Sequence, residues 1–376
     1  LDVKSLITHH FDIGQAEDAF EMVLEKSEPH MGVMLTYPET ITENPKQFPA
    51  SSVTPGGCVL GVIGAGNFAR AVLLPELKKM SGVALHTIAT KRGASSDHAQ
   101  DTFGFAHAAT DEAAVLDNPD INAVLIATRH DSHAELTARA LKAEKSVLVE
   151  KPLGLSRDEI AAVQDARETS SGFFQIGFNR RFAPLAQQAS AALSKIEGPR
   201  FMVFRVNAGT IPGDSWIQNM EEGGGRIIGE MCHFVDLARS FAGGRIISVQ
   251  ADAAQNTTGS ADDITALLRF ENGSLATIAY TSLGDAAFPK ERFEIFAGGS
   301  VINLDNFRNL SITSNGSTKN HSGSGQDKGF EKSLAAFVGA VTSGGPAPIN
   351  ENDLVESSLA TLAVLDSLRS GSRIDL

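Results

Sequence analysis

One stretch limits the fold of this chain more than any other. Residues 57–70 read Gly-Cys-Val-Leu-Gly-Val-Ile-Gly-Ala-Gly-Asn-Phe-Ala-Arg. The apolar run 59–63 stops at glycines and passes at once into a helical pattern, which spells a strand, a tight turn and a helix start. Gly64 supplies the positive φ that the turn demands. Gly66 lets the backbone approach a pyrophosphate, and Ala69 is small enough for close helix–strand packing. The free N–H groups that follow then face an anion at a helix N-terminus. This context predicts a dinucleotide site with Gly64, Gly66, Asn67 and Phe68 at its phosphates.

Strands and helices alternate from there. Strands are predicted over 83–89, 123–127 and 146–149, with a helix over 134–143. Pro75, inside the first helical pattern, predicts a kink. Such alternation needs a parallel sheet with helices on both faces, and ligands lie beyond the carboxyl ends of its strands. Thr128-Arg129-His130-Asp131-Ser132-His133 and Glu150-Lys151-Pro152 fall at two such ends. A proline after Lys151 restricts the local backbone and admits a cis bond. Ser156-Arg157-Asp158-Glu159 has the form of a capping box, and a strand over 173–178 leads into Asn179-Arg180-Arg181.

The rhythm then changes. Strand-like runs cover 201–207, 246–251, 264–270, 274–281, 292–296 and 300–304, with a hairpin turn at Glu271-Asn272-Gly273-Ser274. Helical patterns are sparse, at 227–241, 328–341 and 350–369, and the polar, glycine-rich 311–327 reads as a surface loop. The expected fold is an α/β Rossmann domain over 57–178, then an α+β domain over 179–376 with a large, mainly antiparallel sheet. Its last helix is free to pack back on the Rossmann domain. Residues 39–56, with prolines at 45, 49 and 55, read as a linker. Before it, residues 1–38 pattern as strand, helix and strand, too small to cover both faces of a sheet. The two cysteines, the absence of a Lys/Arg run at a net charge of −13 and the lack of a long apolar run point to a reducing, cytoplasmic setting. They predict neither a nucleic-acid nor a membrane partner, and no metal-ligand spacing is present.

Two resemblances follow from these motifs. Gly64-Ala65-Gly66-Asn67, the 128–133 loop, Glu150-Lys151-Pro152-Leu153, and Gly223-Gly224-Gly225 followed by His233 and Asp236 resemble the Gfo/Idh/MocA oxidoreductases, which include glucose–fructose oxidoreductase and inositol dehydrogenase. The resemblance implies NAD(P)-dependent hydride transfer at a secondary hydroxyl or keto group of a sugar, sugar derivative or cyclitol. It implies that Lys151 holds the hydroxyl oxygen or acts as a base, and that His233 accepts the proton. It places the cofactor against the glycine turn, Thr128, Arg129, His130, His133 and Glu150 to Pro152, with Thr90, Lys91 and Arg92 after the second strand. No acid stands at that strand end, so a 2′-phosphate is admitted and NADP is favoured over NAD, although solvated basic residues would look the same. Asn179, Arg181 and Trp216 are candidates for the substrate side. Relatives carry an aspartate where this chain has Gly229, so either Glu230 supplies a carboxylate or none is needed. Separately, Ile7-Thr8-His9-His10-Phe11, the helix at 16–20 and Gly32-Val33-Met34-Leu35-Thr36-Tyr37 resemble the tail of zinc-type medium-chain alcohol dehydrogenases. That implies the downstream part of a two-enzyme fusion; an N-terminal arm of the same domain is the other reading. Assembly into a homo-oligomer through the second-domain sheet is expected. A non-catalytic cofactor-binding scaffold, and a hydrolase or lyase that recycles bound NAD, remain open as alternatives.

Overall fold

The computed structural model describes residues 4–37, 57–254 and 262–376, and the chain divides into a unit of residues 1–48 and a unit of residues 49–376. The predicted linker lies outside the described residues.

The small unit runs β1 (Ile7–Asp12), α1 (Ala16–Glu25) and β2 (Gly32–Thr36), with its two strands parallel. Lys26, in the left-handed region, ends the helix. Only Ala19 and Met22 of α1 are buried, while Phe20, Leu24 and Met31 are exposed, as expected of a unit with so small a core.

The described residues of the large unit form two sheets. The first contains β3 (Cys58–Ile63), β4 (Val83–Ala89), β5 (His107–Ala109), β6 (Ala123–Ile126), β7 (Ser146–Val149) and β8 (Phe174–Ile176), ordered β5-β4-β3-β6-β7-β8 and parallel throughout. Chain order reverses between β3 and β6, so a crevice opens above Ile63 and Ile126. The connecting helices are α2 (Leu74–Lys79), α3 (Gly93–Phe103), α4 (Ala113–Leu116), α5 (His133–Lys142) and α6 (Arg157–Glu168). Pro75 does not kink a regular helix. It enters α2 just after a π turn, Ala69–Leu73, in which the Leu74 N–H reaches back to the Ala69 carbonyl. The wider turn suits a proline that has no N–H to offer. The capping box is half as expected. The Ser156 hydroxyl accepts the Glu159 N–H, but the Glu159 carboxylate takes the N–H of Leu155 rather than of Ser156.

The second sheet follows α7 (Pro184–Leu193). Its strands are β9 (Arg200–Asn207), β10 (Ile246–Ala253), β11 (Ile264–Phe270), β12 (Leu275–Thr281), β13 (Glu291–Ala297), β14 (Ser300–Asp305), β15 (Asn309–Ser314), β16 (Ser317–Ser322) and β17 (Ile374–Asp375). They lie in the order β16-β15-β14-β13-β9-β12-β11-β10-β17, and only the β9–β12 pair is parallel. Helices α8 (Cys232–Ala242) and α10 (Glu351–Ser370) cover one face, where Phe204, Phe234, Phe241, Ile278 and Phe293 form the core. A further helix, α9 (Phe330–Ser343), packs with the Rossmann core through Leu334 and Phe337. Helix α10 serves both cores, through Leu354 and Leu362 on one side and Ala360 and Val364 on the other. The loop expected over 311–327 is mostly a hairpin. Asn315 and Gly316, at φ +49° and +72°, make the two-residue turn between β15 and β16.

Candidate active site

The predicted cofactor turn forms at the crevice. Gly64 takes φ +94°, and a Cβ there would stand 2.5 Å from the Ala127 carbonyl oxygen, so both dihedral and space demand glycine. At Gly66 a Cβ would meet nothing of the protein, which leaves open room above the start of the helix. This cradle fits a dinucleotide phosphate. Asn67 is exposed beside it and accepts from Arg70, while Phe68 packs edge-on against Phe330 with centroids 5.5 Å apart. At the end of β4, the Thr90 hydroxyl donates to the Arg92 carbonyl, and Lys91 and Arg92 are exposed.

The loop after β6 is more structural than the sequence implied. His133, the buried first residue of α5, donates from Nδ1 to the Pro152 carbonyl at 2.7 Å and sits 3.3 Å from the Thr128 carbonyl through Nε2. It thus straps two strand ends together, and burial pushes its imidazole down to about 4. The Thr128 hydroxyl is 2.7 Å from that of Ser132, and Arg129 pairs with Glu222 and lies over Trp216. His130 donates from Nδ1 to the Gly223 carbonyl at 2.7 Å and meets Trp216 edge-on at 4.7 Å. The carboxylate of the half-buried Glu150 packs against Gly177, and desolvation raises its carboxyl to about 7.

Lys151 precedes a cis peptide bond to Pro152, and its Nζ donates to the Gly229 carbonyl at 2.7 Å. This joins the end of β7 to the start of the α8 helix, where a second π turn, Ile227–Met231, leads into Cys232 and His233. His233 is buried, and its Nδ1 has no hydrogen-bond partner. Burial, then Arg180, Lys151, Lys328 and Lys290, hold its imidazole well below the usual histidine range, so it is neutral. A neutral imidazole with an unsatisfied nitrogen next to a lysine is equipped to take a proton from a hydroxyl.

Three expectations require correction. Glu230 does not replace the missing carboxylate. It points to the second sheet, where it accepts from Arg226 at 2.9 Å, Tyr280 at 2.5 Å and Lys290 at 2.5 Å. Burial raises its carboxyl, but Lys290 and the other donors outweigh that and hold it at about 2, far too weak a base for neutral pH. The space a side chain at Gly229 would need is taken by His130, whose Cε1 lies 2.9 Å from the position of such a Cβ. Arg181 does not grip a substrate either. It makes two bonds to Asp236, at 2.7 and 2.8 Å, and a third, at 3.5 Å, to Asp353. Asp236 is therefore spent on Arg181 and does not orient His233. Asn179 is buried, donating to the Lys328 carbonyl while its Oδ1 has no partner. Trp216, half-buried, covers His130 at the mouth of the cleft.

Arg226, Tyr280, Lys290, Glu291 and Lys328 were not foreseen. They come from the ends of distant strands and loops, and no local pattern marks them. The nearest thing to a signal is the Lys290-Glu291 pair at the start of a strand.

Residues 59–178 match the family model described as "Oxidoreductase family, NAD-binding Rossmann fold", and residues 198–299 match "GFO/IDH/MocA C-terminal domain". The chain is similar to the myo-inositol 2-dehydrogenase of Thermotoga maritima, 25% identical over 67% of this chain and 77% of that one. It is 24% identical to the 1,5-anhydro-D-fructose reductase of Ensifer adhaerens over 84% of this chain and 98% of that one. Among solved structures, a levoglucosan dehydrogenase in complex with NADH and levoglucosan superposes with a TM-score of 0.75 at 21% identity, over 85% of this chain and 99% of that one, a likeness of fold.

Proposed function

We propose that this chain, which belongs to the Gfo/Idh/MocA oxidoreductase family, acts on a secondary hydroxyl or the matching ketone of a sugar, sugar derivative or cyclitol. The relatives named for inositol, anhydrofructose and levoglucosan chemistry support that class. One observation carries the reading. Lys151, at the end of β7, donates to Gly229 in the turn that leads straight into α8, where His233 lies within its electrostatic reach and keeps a buried nitrogen with no partner.

Gly64, Gly66, Asn67 and the helix start would hold the pyrophosphate, and Thr90 with its basic neighbours the adenosine ribose. A bound nicotinamide supplies the two-electron acceptor or donor. Lys151 holds the hydroxyl oxygen with the protons it does not give to Gly229. His233 takes the hydroxyl proton on oxidation and returns it on reduction. Residues 57–178 form the cofactor part and 179–376 the substrate part, with α10 shared.

Lys151→Ala and His233→Ala are expected to reduce turnover by roughly 10²–10⁴-fold each, with cofactor affinity preserved. The two losses should fall short of multiplying, because both groups act on one proton. Full activity of Lys151→Ala on an identified substrate would overturn the assignment.

Two further readings belong here. The open face of the second sheet pairs Phe201 with Phe296 and carries Leu267, all partly exposed, which supports a homo-oligomer through that face; sedimentation velocity of Phe201→Glu tests it. The exposed Phe20, Leu24 and Met31 support an upstream partner domain for residues 1–38, which lie outside both matched intervals. Deleting that segment should leave NADH affinity unchanged.

A further inference from the structure

The chemistry at Lys151 and His233 does not account for the charge gathered around them. Glu291, whose side chain is wholly buried, accepts two bonds from Arg180, at 2.9 and 3.0 Å, and another from Lys328 at 2.7 Å. Glu230 likewise lies between Arg226 and Lys290. Each carboxylate thus neutralises one of the two cations on it. Lys151 adds another positive charge, and its ammonium donates to the neutral Gly229 carbonyl.

The other acids nearby offset only part of this excess. Asp236 is balanced by Arg181. Asp262, which accepts from Gln218, acts on Arg226 and leaves Lys290 to Glu230. Glu150 is pushed to about 7 by burial and so carries only part of a charge at neutral pH. At His233 itself, the four strongest influences after burial are all cations. Lys290 also acts on Lys328, so the two ammonium groups share one neighbourhood.

A buried or half-buried cation without its own counter-charge is costly. Natural sites keep such groups where a ligand completes the pairing. Arg180 and Arg226 are locked bidentately or deeply buried, with side chains 6% and 3% exposed, whereas Lys290 and Lys328 are 36% and 19% exposed and end in flexible stems. The lysines are the groups able to turn toward a ligand. We infer that the substrate carries an anionic group, a carboxylate or a phosphate, which Lys290 and Lys328 receive while its reacting hydroxyl rests at Lys151 and His233. This rests on the oxidoreductase reading and narrows its substrate class to acidic sugars or sugar phosphates.

The test keeps the two apart. NADH binding, followed by its fluorescence, reports on the oxidoreductase reading alone and fails if that reading is wrong. The NADH-loaded chain is then titrated by calorimetry with D-glucose, D-glucuronate and D-glucose 6-phosphate at two salt concentrations. At least one acidic probe should bind tenfold or more tightly than D-glucose, and the gap should shrink with salt. Which acid gains tells carboxylate from phosphate. Lys290→Gln and Lys328→Gln should each narrow the gap several-fold while NADH affinity stays unchanged. D-glucose binding as tightly as both acids, no binding of either acid, or a gap that survives both variants would overturn the inference.

Discussion

Gly229→Ala tests how the site is built around an absent side chain. The new Cβ would stand 2.9 Å from His130 Cε1 and 3.5 Å from its Nδ1. Carbon atoms in contact prefer about 3.5–4.0 Å, so the ring must yield by roughly 0.6–1.1 Å. It is not free to do so, being bonded to the Gly223 carbonyl at 2.7 Å and packed on Trp216. Overpacking of this kind costs about 1–3 kcal/mol. Against it, alanine is favoured over glycine in a helical turn by about 1 kcal/mol. The single variant should therefore lose about 0–2 kcal/mol, too close to nothing to be decisive alone. In a His130→Ala background the clash is gone and only the propensity gain remains, so the same substitution should stabilise. The coupling between the two positions, about 1–3 kcal/mol with a change of sign, is the quantity to measure. Urea unfolding of the four proteins, followed by circular dichroism, supplies it. A coupling below about 0.5 kcal/mol would refute the claim that His130 fills the space at Gly229.

Two more outcomes are expected. Because Lys91 and Arg92 are exposed at the end of β4 and no acid stands there, NADPH should bind more tightly than NADH, with a gap that shrinks in salt; calorimetry showing equal affinities, or tighter NADH, would exclude this. His133 has a folded-state imidazole pushed by burial down to about 4, below its unfolded value, so its stabilisation is present above about pH 6.5 and is lost as pH falls toward 4. The loss should reach about 2 kcal/mol by pH 5. Glu150 acts with the opposite sign, since its raised carboxyl gains stability as pH falls below about 7. Urea unfolding at several pH values should show a shallower acid limb in His133→Gln than in the parent, and an unchanged slope would contradict the assignment.

Much of this molecule was legible from local chemistry. A strand that ends in Gly64 and turns into a helix needs a positive φ and room for a backbone approach, and those demands are met by residues a few positions apart. Lys151 at a strand end before a proline, and the alternation that makes the first sheet parallel, are likewise short-range statements. Asn315-Gly316 was equally local: it marks a hairpin, but the strand after it is polar and open to solvent along its whole length, which hides the signal. What the tertiary structure decided is which charge meets which. Arg181 looked available to a substrate and is held by Asp236, 55 residues away; Arg180 is held by Glu291, 111 residues away. Glu230 looked like a stand-in base and became a counter-ion because the wide turn at Ile227–Met231 and the ends of β12 and β13 brought Arg226, Tyr280 and Lys290 around it. Backbone conformation answers to neighbours in the chain, whereas an ion pair depends on distance in space, and that distance exists only once both sheets have closed around the cleft.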